Sequence, residues 1–160
     1  MKVLLSEYKK KEEALNFLRK HSLGMLVTTD AVARTAITPL YFYTGDDFTI
    51  YFLTKEKTRK FQNILQLSHT SLCTYSEEEK TVIEVDGTAQ PLNDTIMLLQ
   101  VIEWFELIVK SRNTDSVFLP PISQLDAGNY VGCTIKPKKI TFRKFATDRT
   151  EEPKEYIFNF

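Results

Sequence analysis

The chain reads as a mainly β protein, an antiparallel β-barrel of six to seven strands with helices packed at its ends. Three observations predict this. Short apolar runs rich in Val, Ile, Thr, Tyr and Phe recur between turn signals, as strands do. The runs fall in the order helix, three strands, helix, two strands, helix, two strands, which suits a barrel better than a doubly wound sheet. The length of 160 residues, with 42% apolar and 26% charged side chains, suits one domain that can bury a core without staples.

Taken in order, Ser6 is placed to cap a helix running to about His21, with Leu15, Phe17 and Leu18 apolar and residues 9–13 facing water. Gly24 breaks the pattern, and 25–29 reads as a strand ended by Asp30. Residues 35–43 form a second strand. Its Pro39 cannot donate to a ladder, so it implies an edge, a bulge or a ligand-facing gap. Gly45-Asp46-Asp47 makes a tight turn into a third strand, 48–53, and the two strands read as a hairpin. A helix follows over 58–67, with Phe61, Ile64 and Leu65 inward.

Residues 70–75 are a fourth strand, 76–80 a charged hairpin tip, and 81–90 a fifth strand in which Gly87 marks a bend or bulge. Asn93 or Asp94 caps a helix over 96–109 that is apolar round most of its circumference. Such a helix is buried on more than one side, which in a small chain suggests a core face plus a dimer face. A loop with Pro120-Pro121 spans 111–128. Two last strands, 129–135 and 139–145, are joined through Lys136-Pro137-Lys138. The end is polar until Tyr156, and its aromatic tip either docks on a neighbour or stays disordered. The domain is therefore placed at 1–146, with 147–160 as a C-terminal tail.

Charge excludes some classes of function. With 21 basic and 21 acidic residues, the chain lacks the basic excess of a general nucleic-acid binder. Its apolar runs are too short to span a membrane. The N-terminus meets Glu7 and three lysines at once, unlike a signal peptide, so a cytoplasmic protein is expected. Cys73 and Cys133 read as buried free thiols. His21 and His69 have no carboxylate spaced to make a triad or metal site, so both read as structural or surface residues. No metal site and no catalytic acid or base is evident.

One stretch carries chemistry. Residues 54–60, Thr-Lys-Glu-Lys-Thr-Arg-Lys, hold four basic side chains and two threonine hydroxyls where a strand feeds a helix. The first N–H groups of a helix are unpaired and its dipole end is positive, which makes an anion site. Arg and Lys add charge-assisted bonds to a phosphate. The alternative is a solvated helix face.

The order of elements and four local strings resemble the FMN-binding split-barrel family, typified by pyridoxine (pyridoxamine) 5′-phosphate oxidase. The strings are Phe52-Leu53-Thr54 followed by Thr58-Arg59-Lys60, then 38–42 (Thr-Pro-Leu-Tyr-Phe), 85–89 (Val-Asp-Gly-Thr-Ala), and Phe17-Leu18 with 24–30. The resemblance covers about residues 12–145 and implies a Greek-key split barrel. It implies that Arg59 and Lys60 hold the FMN phosphate, with hydroxyl bonds from Thr58 and Thr54 beside Leu53. It also implies that Thr38, Pro39, Leu40 and Tyr41 line the isoalloxazine ring; plain barrel packing is the alternative for Tyr41 and Phe42. Family members are usually homodimers with flavin at the interface, and Trp104 could reach the partner's flavin or serve as an ordinary core residue.

The chain departs from the true oxidase. Thr38 and Tyr43 stand where the oxidase has basic residues, Val82 stands for a glutamine, and 129–160 lacks its arginine- and histidine-bearing motif. The resemblance is therefore to oxidase-related, general-stress-type members. It implies an FMN-dependent oxidoreductase using a small-molecule substrate or electron donor. The alternatives are a flavin-binding protein without turnover, or a split barrel for haem or deazaflavin.

Overall fold

A computed structural model describes residues 2–111, 130–146 and 150–160. In chain order the elements are α1 (Lys2–Lys20), β1 (Leu23–Thr29), β2 (Thr35–Tyr41), β3 (Tyr43–Thr44), β4 (Ile50–Lys55), α2 (Arg59–Gln66), β5 (His69–Ser76), β6 (Thr81–Pro91), α3 (Thr95–Ser111), β7 (Tyr130–Lys144) and β8 (Lys154–Asn159). All strands join one antiparallel sheet, ordered β2-β1-β5-β6-β7-β4-β3, with β8 also paired to β7. This is the mainly β barrel that the sequence predicts.

The topology shows how the sheet closes. β2 lies at one end of the strand order and β3 at the other, yet only Phe42 separates them in sequence. The sheet must therefore curl until its two ends meet. Phe42 turns inward, fully buried, and its N–H bonds to the Ser22 carbonyl at 2.9 Å. The reading of 35–43 as one strand, hairpinned to 48–53, is corrected here. Residues 35–41 pair with β1, and only Tyr43 and Thr44 pair with β4.

Alternation along each strand fills the interior. Leu26, Phe52, Leu72, Ile83, Val85, Ile135, Ile140 and Phe142 are buried there, each worth about 1.5–3 kcal/mol when removed from water. α1 closes one mouth with Ala14, Phe17 and Leu18, and α2 closes the other with Phe61 and Ile64. The expected inward Leu65 is exposed. Its neighbour Asn63 is buried instead, donating to Thr28 Oγ1 at 3.1 Å, which ties α2 to the end of β1.

Other expectations shift. α1 starts upstream of Ser6, so Ser6 is not its cap. Gly24 lies inside β1 rather than before it, where a Cβ would come within 2.9 Å of the Cys73 carbonyl. The two last strands are one strand, β7. Its register shifts opposite Asp86 and Gly87, so Lys138 is the extra residue of a bulge and Pro137 is tolerated inside the strand. Residues 154–159, read as tail, form β8 on β7 and bury Phe158 in the core. The loop read at 111–128 lies, past Ser111, outside the described residues.

α3 is capped by Asp94, whose Oδ1 accepts from Met97 N at 3.0 Å. It packs Val101 and Phe105 on Tyr41, Tyr51 and Leu53, outside the barrel. Ile96, Leu99 and Leu107 are exposed on its other side. Trp104 meets Tyr43 and Phe105 edge-on, at 5.5 and 4.8 Å between ring centres.

Candidate functional site

The strand-to-helix junction is built around two threonines. Thr54, the buried penultimate residue of β4, and Thr58, the N-cap of α2, place their hydroxyls 2.9 Å apart. Thr58 Oγ1 donates to the Lys55 carbonyl at 2.8 Å. A hydroxyl has one proton, so Thr54 is the donor of the pair. Both protons are thus committed inside the turn, and Thr58 makes no side-chain cap to the helix. The first N–H groups of α2 stay open, at the positive end of its dipole.

Arg59 and Lys60 leave the helix in different directions, as successive residues at 3.6 per turn must. Arg59 is exposed and crosses to β2, where Nη2 donates to the Thr35 carbonyl at 3.2 Å. Lys60 is half-buried, and burial pushes its ammonium below the usual lysine range, with the buried Cys133 thiol close enough to interact. The acceptor at Thr35 carries no sequence signal, because a backbone carbonyl looks alike at every residue.

The residues of β2 divide between environments. Pro39 is exposed on β2, the strand at the end of the order, opposite Met25, a place that suits a residue unable to donate to a ladder. Thr38 is half-buried opposite Leu26, and Leu40 points into the core. Tyr41 is buried against Val101 and Phe105 of α3, and half-buried Leu53 joins the same cluster. The structure thus brings Thr54, Thr58, Arg59 and the start of β2 together. Leu40 and Tyr41 lie at the other end of β2 from Thr35, with their side chains in the core and under α3.

Elsewhere, His21 Nε2 pairs with Glu79 at 2.9 Å, and Glu79 also pairs with Lys20. His69 is exposed at the start of β5. Cys133 is buried and Cys73 only half-buried; both are free thiols. Among the described residues there is no cluster fit for a metal, and no helix is long and apolar enough to cross a membrane.

Comparison with known proteins agrees with the fold. The chain resembles General Stress Protein 26 from Bacillus anthracis, at 18.6 kDa for this chain and 19% identity, with a TM-score of 0.60 over 81% of this chain and 91% of that one. PhzG from Burkholderia lata, solved in complex with tetrahydrophenazine-1-carboxylic acid, is 19% identical with a TM-score of 0.58 over 98% and 91%. Campylobacter jejuni ChuZ is 14% identical with a TM-score of 0.71 over 95% of this chain and 60% of that one. No curated protein matches the chain in sequence at a significant level. The family model described as pyridoxamine 5′-phosphate oxidase like matches residues 9–105, more than half of the length, from α1 through both strands of the closing edge and α2 into α3. The chain belongs to the pyridoxamine 5′-phosphate oxidase like family.

Proposed function

We propose that this protein binds FMN and acts as a flavin-dependent oxidoreductase on a small molecule. The observation that carries the reading is the uncapped N-terminus of α2 with Arg59 beside it, facing the edge strand β2. Open N–H groups and a guanidinium are the donor set a phosphate monoester needs. The residues fit the group: Arg59 holds the phosphate, and Thr58 does so if its proton turns from the Lys55 carbonyl. Lys60 adds charge from the barrel mouth. The backbone of Thr38, Pro39, Leu40 and Tyr41 runs along the ring, with Leu53 and Thr54 behind. When bound, FMN supplies the redox chemistry, while the protein supplies position and electrostatics.

A homodimer with the cofactor at its interface goes with this reading. The outer face of β1, β2 and β5 exposes Met25, Ile37 and Tyr75 next to Pro39. Patches of that kind mark interaction sites. The free thiols Cys73 and Cys133 suit a reducing compartment such as the cytoplasm.

The test is the visible spectrum of the purified protein before and after loading with FMN and desalting. Retained, protein-perturbed flavin absorption is expected, together with bleaching under a reductant such as NAD(P)H. Retention without turnover would leave a flavin-binding protein. Release of all added FMN would refute the reading and turn attention to haem or deazaflavin.

A further inference from the structure

β8 has one side on β7 and one side open. Phe160 N donates to the Lys138 carbonyl at 3.1 Å, so by the two-residue period of an antiparallel ladder Tyr156 and Phe158 also turn their backbone groups to β7. The other side of β7 agrees, since Phe145 N donates to the Lys80 carbonyl, towards β6, at 2.8 Å. Glu155, Ile157 and Asn159 therefore aim their N–H and C=O groups away from the sheet. Among the described residues those groups have no backbone partner.

The edge can be reached. All three residues are exposed, Ile157 at 53%. α1 lies against the rings of the alternate residues, with Lys10 over Tyr156 and Lys11 over Phe158 and Phe160. An open groove of about 530 Å³ separates the first half of α1 from β8. Sheet edges are normally blunted by a charge, a proline or a bulge. Here the middle of the edge is Ile157, and Lys154 and Glu155 stand only at its start.

A bare edge accepts another strand, and β8 is complementary to itself. Antiparallel pairing about a two-fold axis at Ile157 sets Ile157 against Ile157 and Glu155 against Asn159, whose amide can donate to the carboxylate. Arg143 holds only Oε2 of Glu155, which leaves Oε1 for that bond. Lys154 falls opposite the Phe160 ring, a favourable cation–π pair. The outward backbone groups of 155, 157 and 159 then meet one another, and no like charges face across the axis. Moving the axis to Glu155 would set two carboxylates face to face.

We propose that the β8 edge is an interface between two copies of this chain, which join into one continuous sheet across a two-fold axis at Ile157. This edge lies apart from the α2 junction and from the patch of Met25, Ile37 and Tyr75, and it does not depend on the flavin reading.

Ile157→Cys tests the register, made together with Cys73→Ser so that the half-buried thiol cannot interfere. Residues paired on the axis stand about 5.5 Å apart at Cα, within reach of a disulfide. Mild oxidation of the full-length protein, without added flavin, should link Ile157→Cys into dimers on a non-reducing gel. In the same background Asn159→Cys should link only when mixed with Glu155→Cys, because each meets the other across the axis. Ile157→Lys, whose side chain faces water, should keep its circular dichroism but place like charges on the axis, and so at least halve the mass seen by sedimentation at micromolar concentration. No link at position 157, equal self-linking of Asn159→Cys, or an unchanged mass in Ile157→Lys would overturn the proposal.

Discussion

Replacing Gly87 by alanine tests the account of the barrel's bulge. A Cβ at Gly87 would sit 2.2 Å from the Lys136 carbonyl oxygen and 2.9 Å from its carbon. Both are backbone atoms in the middle of a ladder, so no side-chain rotation relieves the overlap. Reaching ordinary contact means moving β7 by more than an ångström where Pro137 and Lys138 already bend it. Overpacking of this kind costs about 1–3 kcal/mol, and a backbone obstacle argues for the upper end. The stiffer unfolded chain returns about 0.4–1 kcal/mol, leaving a net loss of about 2 kcal/mol. For a chain of this size that is a melting point lower by roughly 4–8 °C. Gly132 supplies the milder comparison, because its added Cβ would meet side-chain atoms only: the Leu98 and Leu92 methyls at 2.8 and 3.1 Å, which can swing away, and the fixed Leu92 Cβ at 3.2 Å, which needs a shift of a few tenths of an ångström. Urea or thermal unfolding of Gly87→Ala and Gly132→Ala measures both. If Gly87→Ala is as stable as wild type, or costs less than Gly132→Ala, the bulge does not hold β6 against β7 as described.

Arg59→Glu should weaken FMN by one to two decades, the effect of losing a charge-assisted contact worth about 1.5–3 kcal/mol; fluorescence titration measures it, and unchanged affinity would remove the phosphate assignment. Phe158→Ala should cost about 3–5 kcal/mol, as for a core aromatic, whereas a free tail would lose nothing; chemical denaturation decides. Burial pushes the Cys133 thiol up to about 12, and Cys73 is raised less by partial burial, so a thiol reagent at pH 8 should modify Cys73 first and Cys133 only on unfolding. Lys20 and His21 hold the Glu79 carboxyl below its ordinary 4.5. That contribution is fully present above the unfolded value and is lost as pH falls through the folded one. Glu79→Gln should therefore flatten the loss of stability below about pH 4.5, seen in melts across pH 3–6.

Much of the barrel was legible because its strands alternate. The burial of β6 follows the two-residue period of Ile83, Val85 and their neighbours. The break at Phe42 was not legible, since 35–43 is one apolar run and nothing local marks a change of sheet edge. β7 was divided at Pro137 because a proline reads as an interruption, and only the register against Gly87 shows the bulge that admits it. β8 was missed for a different reason: its partner is distant and most of its side chains face water. At the site, the strand-to-helix junction with Thr58 and Arg59 was readable from the order of residue types. The locking of Thr54 onto Thr58 was not, nor was the burial of Tyr41 beneath α3.

β7 has a consequence for how the chain is made. It is the common neighbour of β4, β6 and β8, and it comes late. The nearest pairing with β4 joins Lys55 to Tyr130, 75 residues further along the chain. At about 5–20 residues per second, β4 waits roughly 4–15 s on the ribosome before its partner exists. During that time β4 and β6 present unpaired edges to anything nearby, and long-range pairing of this sort is slow even once the chain is complete. The hazard of this barrel lies in its synthesis, where a nascent chain halted before residue 130 would be an open sheet in want of its central strand.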